Sequence, residues 1–299
     1  MKIAITTTTF GVFDKKPLVM LKEKGLKVIL NPYQRKLNEQ EIISLCHDVD
    51  GMIAGTESLN GKVLKQLPRL KVISRCGVSV ENVDLKTAKH LKIKVLNAPK
   101  APSIAVAELT VGLILNLLRK VNFMDRNIRA GHWKKEMGNL LAGKKVGIIG
   151  FGRIGSKVAQ FLKPFSGEIR YCDPHIKDAK GGCHRLSLFQ LLKWADIISL
   201  HAANNQPLLR RKEIAVMKKG AWLINVSRGE LVDEKALFNA LKTGKLSGAA
   251  LDVFCHEPYT GPLSGLENVI LTPHIGSYAA EARVQMEIEA ARNLLEGLK

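Results

Sequence analysis

Residues 145–155 read KVGIIGFGRIG, and this stretch decides how the chain folds. An apolar run typical of a buried strand leads into Gly150, Gly152 and Gly155, and a helical pattern follows. In a G-x-G-x-x-G turn, the first glycine makes the tight turn and the second lets a pyrophosphate approach the backbone. The third lets the helix pack closely on the strand, and the helix N-terminus offers N–H groups to phosphate. The stretch therefore predicts a strand, a phosphate-binding turn and a helix, as in a dinucleotide-binding domain.

The next apolar strand ends at Asp173, close to the position where dinucleotide-binding domains carry a carboxylate about 20 residues after the glycine turn. Such a carboxylate accepts hydrogen bonds from the adenosine ribose hydroxyls and repels a 2′-phosphate, so it favours NAD over NADP. The alternative is an Asp that ends a strand in an ordinary turn before Pro174. The glycine turn upstream favours the first interpretation. A protein-kinase glycine loop is excluded because the chain has no HRD or DFG segment.

Short runs rich in Val and Ile alternate with amphipathic helical patterns along the whole chain, which predicts parallel sheets covered on both faces. The first series of predicted strands is Lys2–Thr6, Lys27–Leu30, Gly51–Ala54, Lys71–Ser74 and Lys94–Leu96, with helices at Lys15–Lys24 and Glu39–His47. The second series is Lys145–Ile149, Glu168–Tyr171, Ile197–Leu200, Ala221–Asn225, Gly248–Leu251 and Val269–Leu271, with helices at Arg153–Pro164, Leu186–Trp194, Asp233–Thr243 and Ala279–Leu298. One long helix from Ser103 to about Phe123 separates the two series. We therefore predict an α/β chain with two doubly wound parallel-sheet domains.

The formal net charge of +19 permits binding to nucleic acid, to an anionic membrane or to an anionic substrate. The Lys and Arg residues are nevertheless scattered along the chain rather than gathered in one basic block, which is typical of a solvated surface. Aromatic residues make up only 5%, too few for a platform that stacks single-stranded bases. We predict no nucleic-acid partner and no membrane partner.

The five cysteines form no CxxC pair and their number is odd, which favours free thiols in a reducing compartment. The first ten residues read MKIAITTTTF, a pattern of a strand rather than of a signal peptide. The apolar stretch Ile104–Leu118 carries Glu108 and Asn116 and is shorter than a membrane span requires, so it reads as a buried helix. These observations predict a cytoplasmic protein.

Several further motifs occur in a fixed order around the glycine turn. They are RCGVSVENVD at residues 75–84, VAEL at 106–109, RAGHW at 129–133, INVSRGELVDE at 224–234, LDVFCHEP at 251–258 and TPHIG at 272–276. With these motifs the chain resembles the D-isomer-specific 2-hydroxyacid dehydrogenase family, and within it the phosphoglycerate dehydrogenase-like members. The resemblance covers nearly the whole chain from Arg75 to the C-terminal helix, and six motifs in one order are more specific than any one alone.

The resemblance implies that a Rossmann NAD-binding domain, residues 101–275, is inserted into a flavodoxin-like substrate domain, residues 1–100 and 276–299. It implies hydride transfer between nicotinamide and C2 of a small D-2-hydroxy acid or 2-oxo acid. Phosphoglycerate, hydroxypyruvate or glyoxylate, and D-lactate-like substrates all remain open. A different class also remains open, because the family includes NAD-sensing corepressors that recruit partners.

The resemblance also implies a catalytic set of Arg228, Glu257 and His274. Arg228 would hold the substrate carboxylate and polarise the carbonyl, which suits a planar guanidinium. His274 would exchange the hydroxyl proton, and Glu257 would orient its imidazole and fix its tautomer. The alternatives are an ordinary loop Arg before Gly229 and a structural His before a helix.

The implied cofactor contacts are many, and the substrate contacts are few. The cofactor set is Gly150, Gly152, Arg153, Ile154, Gly155, Asp173, Val226, Ser227, Asp252 and Gly276, with Asp252 bonding the nicotinamide carboxamide. The substrate set is Arg75, Val78, Ser79 and Arg228. Two positions depart from the family pattern, since Ser79 stands where Gly is frequent and Pro102 where Asn is frequent, and each leaves a polar contact open.

No metal site is predicted, because His175, Cys183 and His184 lack a recognisable ligand spacing. The apolar helix Ile104–Leu118, with Gly112 within it, predicts a twofold interface by resemblance, and hence a homodimer. The alternative is a helix buried inside one subunit.

Overall fold

The computed structural model describes residues 1–165, 167–177, 182–204 and 206–299, and its strands form two parallel sheets. By its internal contacts the chain divides into two units, one of Met1–Ser103 with Ser277–Lys299 and the other of Ile104–Gly276. The strands are β1 Lys2–Ile5, β2 Lys27–Leu30, β3 Gly51–Ala54, β4 Val72–Arg75, β5 Lys94–Asn97, β6 Lys145–Ile149, β7 Glu168–Cys172, β8 His184–Arg185, β9 Ile197–Leu200, β10 Ala221–Asn225, β11 Leu246–Leu251 and β12 Val269–Leu271. The α-helices are α1 Lys16–Glu23, α2 Glu39–Cys46, α3 Gly61–Lys65, α4 Leu85–His90, α5 Pro102–Arg119, α6 Val121–Arg129, α7 Arg153–Leu162, α8 Leu188–Trp194, α9 Arg211–Val216, α10 Glu234–Lys242 and α11 Ala280–Gly297.

The first unit is built on a five-stranded sheet in the order β2-β1-β3-β4-β5, with every pair parallel. Successive residues of a strand face opposite sides of the sheet. In this sheet apolar side chains point to both sides, as is typical of a parallel sheet that is covered on both faces. Ile3 and Ile5 lie in the cluster that includes Leu294 of α11, whereas Ala4 lies in the cluster that includes Ile42 of α2. The strand order is that of the flavodoxin-like fold.

The second unit is built on a seven-stranded parallel sheet in the order β12-β11-β10-β9-β6-β7-β8. The chain starts at the central strand β6, proceeds to one edge through β7 and β8, and then crosses back to β9. The order therefore reverses between β6 and β9, and ligands of doubly wound sheets bind beyond the strand ends at such a point. With two doubly wound α/β sheets, the predicted fold class is confirmed.

Helix boundaries follow local capping. Two helices begin with a capping box, which Asn38 and Glu41 form at α2 and Ser187 and Gln190 form at α8. The side chain of Asp233 caps α10. Pro102 is the first residue of α5, and proline suits a first helical turn because its missing N–H has no helical partner there.

The predicted single helix from Ser103 to Phe123 is wrong in one respect, since α5 ends at Arg119 and α6 begins at Val121. Between them Lys120 adopts a left-handed conformation with φ of 53°, which interrupts the helix. By length and composition α5 could cross a membrane, and half of it is buried within the protein; no other helix of the described residues meets that test.

Candidate active site

The glycine turn after β6 has a separate steric reason for each of its glycines. Gly150 has φ of 87°, and a Cβ there would lie 2.5 Å from the amide N of Ala202, which follows β9. A Cβ on Gly155 would lie 2.1 Å from the carbonyl O of Gly150, so α7 packs directly on the turn. Gly152 differs because a Cβ there would meet no atom within 4 Å. The space over Gly152 is thus the side on which a ligand can approach the backbone at the N-terminus of α7.

Asp173 lies just beyond β7 and is buried. Its Oδ2 accepts a hydrogen bond from the amide of Phe151 at 2.7 Å, and its Oδ1 accepts from the amides of His175 and Ile176 at 2.8 and 3.1 Å. Burial opposes ionisation of Asp173, but the three backbone N–H bonds outweigh it and lower its pKa below the usual value.

The turn and the carboxylate fit a dinucleotide. A carboxylate has about four acceptor positions, and three are engaged by backbone amides, so one is left for a ribose hydroxyl. The bond from Phe151 also ties the carboxylate to the glycine turn, so the two parts of the cofactor site hold each other in place.

Arg228 lies three residues after β10, and the last residue of that strand fixes the backbone of the loop. The side chain of Asn225, the last residue of β10, accepts from the amide of Ser227 at 3.1 Å and donates to the carbonyl of Arg228 at 2.8 Å. The Ser227 hydroxyl donates to the carbonyl of Ala202 at 2.5 Å. Buried Asn225 was missed in the sequence because an amide ending an apolar strand has many ordinary roles.

The Arg228 loop and the turn that contains Glu257 are in contact. A Cβ on Gly229 would lie 2.0 Å from the carbonyl C of Phe254, so only glycine permits this approach. Glu257 Oε1 accepts from the amide of Phe254 at 3.1 Å. The loop after β10 and the loop after β11 are thereby fixed to each other.

Glu257 and His274 form a pair, with 2.9 Å between Glu257 Oε2 and His274 Nδ1. Both side chains are partly exposed, and His274 has a positive φ of 55°. Since Nδ1 faces Glu257, Nε2 is the ring nitrogen directed to any reacting group. The structure therefore brings these two predicted residues together.

Asp252 is fully buried and holds the loop that carries His274. Its Oδ1 accepts from the Thr272 hydroxyl at 2.6 Å and from the Ile275 amide at 2.8 Å, and its Oδ2 accepts from the Gly276 amide at 2.8 Å. These contacts lie on both sides of His274. This positioning role was not foreseen in the sequence, where Asp252 is predicted to bond the nicotinamide.

The predicted substrate residues lie in the first unit, around the end of β4. Val78 is exposed, and its carbonyl accepts from the Asn97 side chain at 2.5 Å. The Ser79 Oγ accepts a hydrogen bond from the amide of Glu81 at 3.1 Å. Arg75 donates through Nη1 to the Cys76 carbonyl. Hence Ser79 caps its own turn, which explains how a side chain is accommodated there.

Within residues 1–165, 167–177, 182–204 and 206–299, no group of three His, Cys, Asp or Glu side chains could hold a metal ion. All five cysteines are free.

The second unit thus has the geometry of a dinucleotide-dependent oxidoreductase. Residues 111–276 match the family described as "D-isomer specific 2-hydroxyacid dehydrogenase, NAD binding domain". The D-3-phosphoglycerate dehydrogenase of Methanocaldococcus jannaschii is 40% identical over 83% of this chain and 49% of its own length. The glyoxylate reductase of Thermofilum pendens is 37% identical over 96% of this chain and 90% of its own. A solved structure of the TT0316 protein from Thermus thermophilus is 35% identical, with a TM-score of 0.92 over 100% of this chain and 97% of that one.

The chain belongs to the D-isomer specific 2-hydroxyacid dehydrogenase family. It spans about half the length of the phosphoglycerate dehydrogenase and nine-tenths of the glyoxylate reductase that it matches. The predictions of this family, of an enzyme and of NAD as its cofactor are confirmed.

Proposed function

We propose that this chain transfers a hydride between NAD and C2 of a small D-2-hydroxy acid or 2-oxo acid, in the manner of phosphoglycerate dehydrogenases. The observation that carries the proposal is the contact between Glu257 and His274. The turn that contains Glu257 also packs against the Arg228 loop, and the chain belongs to this family. In this proposal residues 101–275 bind NAD, and residues 1–100 and 276–299 bind the substrate.

His274 exchanges the proton. In the reducing direction Nε2 donates a proton to the oxygen on C2, and in the oxidising direction it removes the hydroxyl proton. Glu257 keeps Nδ1 occupied, holds the ring orientation and stabilises the charged imidazolium. NAD, when bound, supplies or accepts the hydride.

Arg228 binds the substrate carboxylate and polarises the C2 carbonyl. A guanidinium suits both tasks because its planar fork can donate two parallel bonds while it carries a full positive charge. Asn225 supports this role by fixing the backbone of Arg228. In the first unit, Arg75 and the loop with Val78 and Ser79 complete the substrate contacts.

NAD is held by the glycine turn with Arg153 and Ile154 at the start of α7. Asp173 receives a ribose hydroxyl and disfavours the 2′-phosphate of NADP. The remaining cofactor contacts that we propose are Val226, Ser227, Asp252 and Gly276. Of these, Asp252 has three engaged acceptor positions, so at most about one is left for the nicotinamide carboxamide.

A second candidate is reduction of glyoxylate or hydroxypyruvate. It is supported by similarity, because the glyoxylate reductase of Thermofilum pendens is 37% identical over 96% of this chain. Both candidates use the same hydride transfer and the same residues, and differ in the group beyond C2.

The proposed active form is a cytoplasmic homodimer that binds neither nucleic acid nor membranes. A second copy would cover α5, where a Cβ on Gly112 would meet nothing within 4 Å, and the segment after α6, which exposes large apolar side chains. In that segment Trp133 is 82% exposed and Met137 is 90% exposed, which is unusual for large apolar side chains. The free cysteines are consistent with a reducing compartment. A monomer mass in solution at every concentration would refute the dimer.

The deciding experiment is NADH oxidation by the purified protein with phosphohydroxypyruvate, hydroxypyruvate, glyoxylate and pyruvate. His274→Ala should abolish turnover while NADH still binds. His90→Ala, at the exposed end of α4, is the matched control and should retain turnover. Tight NADH binding without turnover of any acid would overturn the proposal and favour an NAD-sensing role.

A further inference from the structure

Ser227, the residue before Arg228, engages each of its polar groups within the second unit. Its amide donates to the Asn225 side chain at 3.1 Å, and its hydroxyl donates to the Ala202 carbonyl at 2.5 Å. Its carbonyl accepts from Arg228 Nη1 at 2.8 Å. One residue therefore joins the Arg228 guanidinium to the loop that follows β9.

The contact with Nη1 bears on how Arg228 meets a carboxylate. A guanidinium engages a carboxylate through two parallel bonds only when the planes of the two groups are aligned. The Ser227 carbonyl accepts from one of the terminal nitrogens, so its direction helps to set the plane of the guanidinium. Arg228 is only partly buried, so packing constrains its side chain less than it would in the core.

The hydroxyl of Ser227 is bonded to a point that lies against the glycine turn. Ala202 is the second residue after β9, and the amide of its neighbour His201 donates to the Ile149 carbonyl at 2.7 Å. A Cβ on Gly150 would lie 2.5 Å from the Ala202 amide N, so this loop and the glycine turn are in direct contact. Ala202 is thereby held from the side of β6.

A second attachment between the same two loops lies on the other side of Arg228. The Leu231 carbonyl accepts from the amides of Leu208 and Leu209, both at 2.9 Å. Leu209 and Leu231 are fully buried. This attachment does not involve the Ser227 hydroxyl, so removal of that hydroxyl should loosen the backbone beside Arg228 without unfolding the loop.

The hydrogen bond to Ala202 also limits what Ser227 can do for the cofactor. A serine has one N–H donor and one O–H donor, and an ionised phosphate needs donors. Both donors of Ser227 are already engaged, by the Asn225 side chain and by the Ala202 carbonyl. A contact between Ser227 and NAD therefore does not need the hydroxyl, so NADH affinity distinguishes a cofactor role from a positioning role.

We infer that Ser227 is a positioning residue for Arg228. Its hydroxyl fixes residue 227 against Ala202, and its carbonyl orients the Arg228 guanidinium toward the substrate carboxylate. The inference rests on the proposed function, in which Arg228 binds that carboxylate.

The first test removes the hydroxyl alone. In Ser227→Ala, kcat/KM for the acid that the wild type turns over best should fall about threefold to tenfold, the range for one hydrogen bond. The Kd for NADH should not change. Ser264→Ala is the matched control and should retain the wild-type kcat/KM, because Ser264 is exposed and its hydroxyl also donates to a backbone carbonyl, that of Gly261, at 2.8 Å.

Two further variants test whether the hydroxyl acts through Arg228. Ser227→Thr keeps a hydroxyl and should restore kcat/KM toward the wild-type value. In an Arg228→Lys background, which lacks the planar fork, Ser227→Ala should cost less than it does alone. Fully additive losses in the double variant would overturn the inference, because Ser227 would then act independently of Arg228. So would a Thr variant as slow as the Ala variant with an unchanged melting temperature.

An unreactive acid provides a measurement without turnover. Oxamate carries a carboxylate next to a carbonyl group, as 2-oxo acids do. Its calorimetric affinity for the NADH-bound protein should fall in Ser227→Ala by about the factor seen in kcat/KM. Equal oxamate affinity in the two proteins, or weaker NADH binding that accounts for the whole loss, would overturn the inference. Absence of turnover by the wild type with every acid would instead refute the proposed function.

Discussion

Glu257 Oε2 and His274 Nδ1 lie 2.9 Å apart, although 17 positions separate the two residues in the chain. If this contact holds the ring for proton transfer, Glu257→Gln should lower kcat by roughly tenfold to hundredfold, because a neutral amide stabilises an imidazolium less well. His274→Ala should lower kcat by about 10² to 10⁴, the usual contribution of an acid–base group. Steady-state kinetics with hydroxypyruvate provide the measurement.

The control for this pair is Glu230→Gln, which removes an exposed carboxylate from the Arg228 loop. It should change kcat little, and NADH affinity should be similar in all three variants. A loss of NADH affinity that accounts for the whole effect would show that the pair serves cofactor binding instead.

Arg228 is expected to act through the shape of its guanidinium as well as its charge. Arg228→Lys retains the charge but loses the planar fork, so we expect kcat/KM to fall about a hundredfold. Arg211→Lys, at the exposed start of α9, should behave like the wild type. An Arg228→Lys variant with full activity would reduce the role of Arg228 to a simple positive charge.

The glycine turn offers a contrast between two substitutions of equal size. Gly152→Ala adds a methyl group where no atom lies within 4 Å, so the melting temperature should stay within a few degrees. NADH binding should weaken about tenfold or more, because the pyrophosphate must approach this backbone. Both quantities follow from a thermal melt and an NADH fluorescence titration.

Gly155→Ala is the opposite case. Its Cβ would lie 2.1 Å from the Gly150 carbonyl oxygen, so the helix must move and the fold should lose stability by roughly 1–3 kcal/mol. If Gly152→Ala destabilised the protein as much as Gly155→Ala does, the open side of the turn would be needed for folding rather than for the cofactor.

Most strands of the two sheets could be predicted because the inner ones, such as β3, β9 and β10, are buried along their whole length and read as largely apolar runs. Strand β8 could not, since His184 and Arg185 are two exposed polar residues. The five-residue helix α3 and the six-residue helices α4 and α9 were also not predicted, because a helix of this length shows less than two turns of periodicity. The break at Lys120 has no sequence signal, as Lys is not typical of a left-handed position.

The residues of the candidate site likewise include some that could be predicted from the sequence and some that could not. Local motifs indicated the glycine turn, the Arg228 loop and the segments of Glu257 and His274. The positioning role of residues such as Asp252 could not be predicted from the sequence. That role depends on hydrogen bonds from backbone amides that lie 20 or more positions away in the chain.

His201, at the end of β9, predicts a pH dependence of stability. Its Nε2 lies 2.8 Å from the Ser199 hydroxyl, and its Nδ1 is buried with no partner among the described residues. Burial lowers the pKa of His201 to about 3, so the folded protein holds it neutral. An unfolded chain protonates the same ring near pH 6.5.

Between these two pKa values the unfolded state binds a proton that the folded state does not, so stability falls as the pH drops below about 6.5. The loss from this one group is about 1.4 kcal/mol per pH unit. Urea unfolding from pH 7.5 to pH 4.5 should therefore show a steeper decline for the wild type than for His201→Asn. His90→Asn, an exposed control, should follow the wild type. Parallel curves for all three proteins would mean that His201 accepts a proton in the folded state.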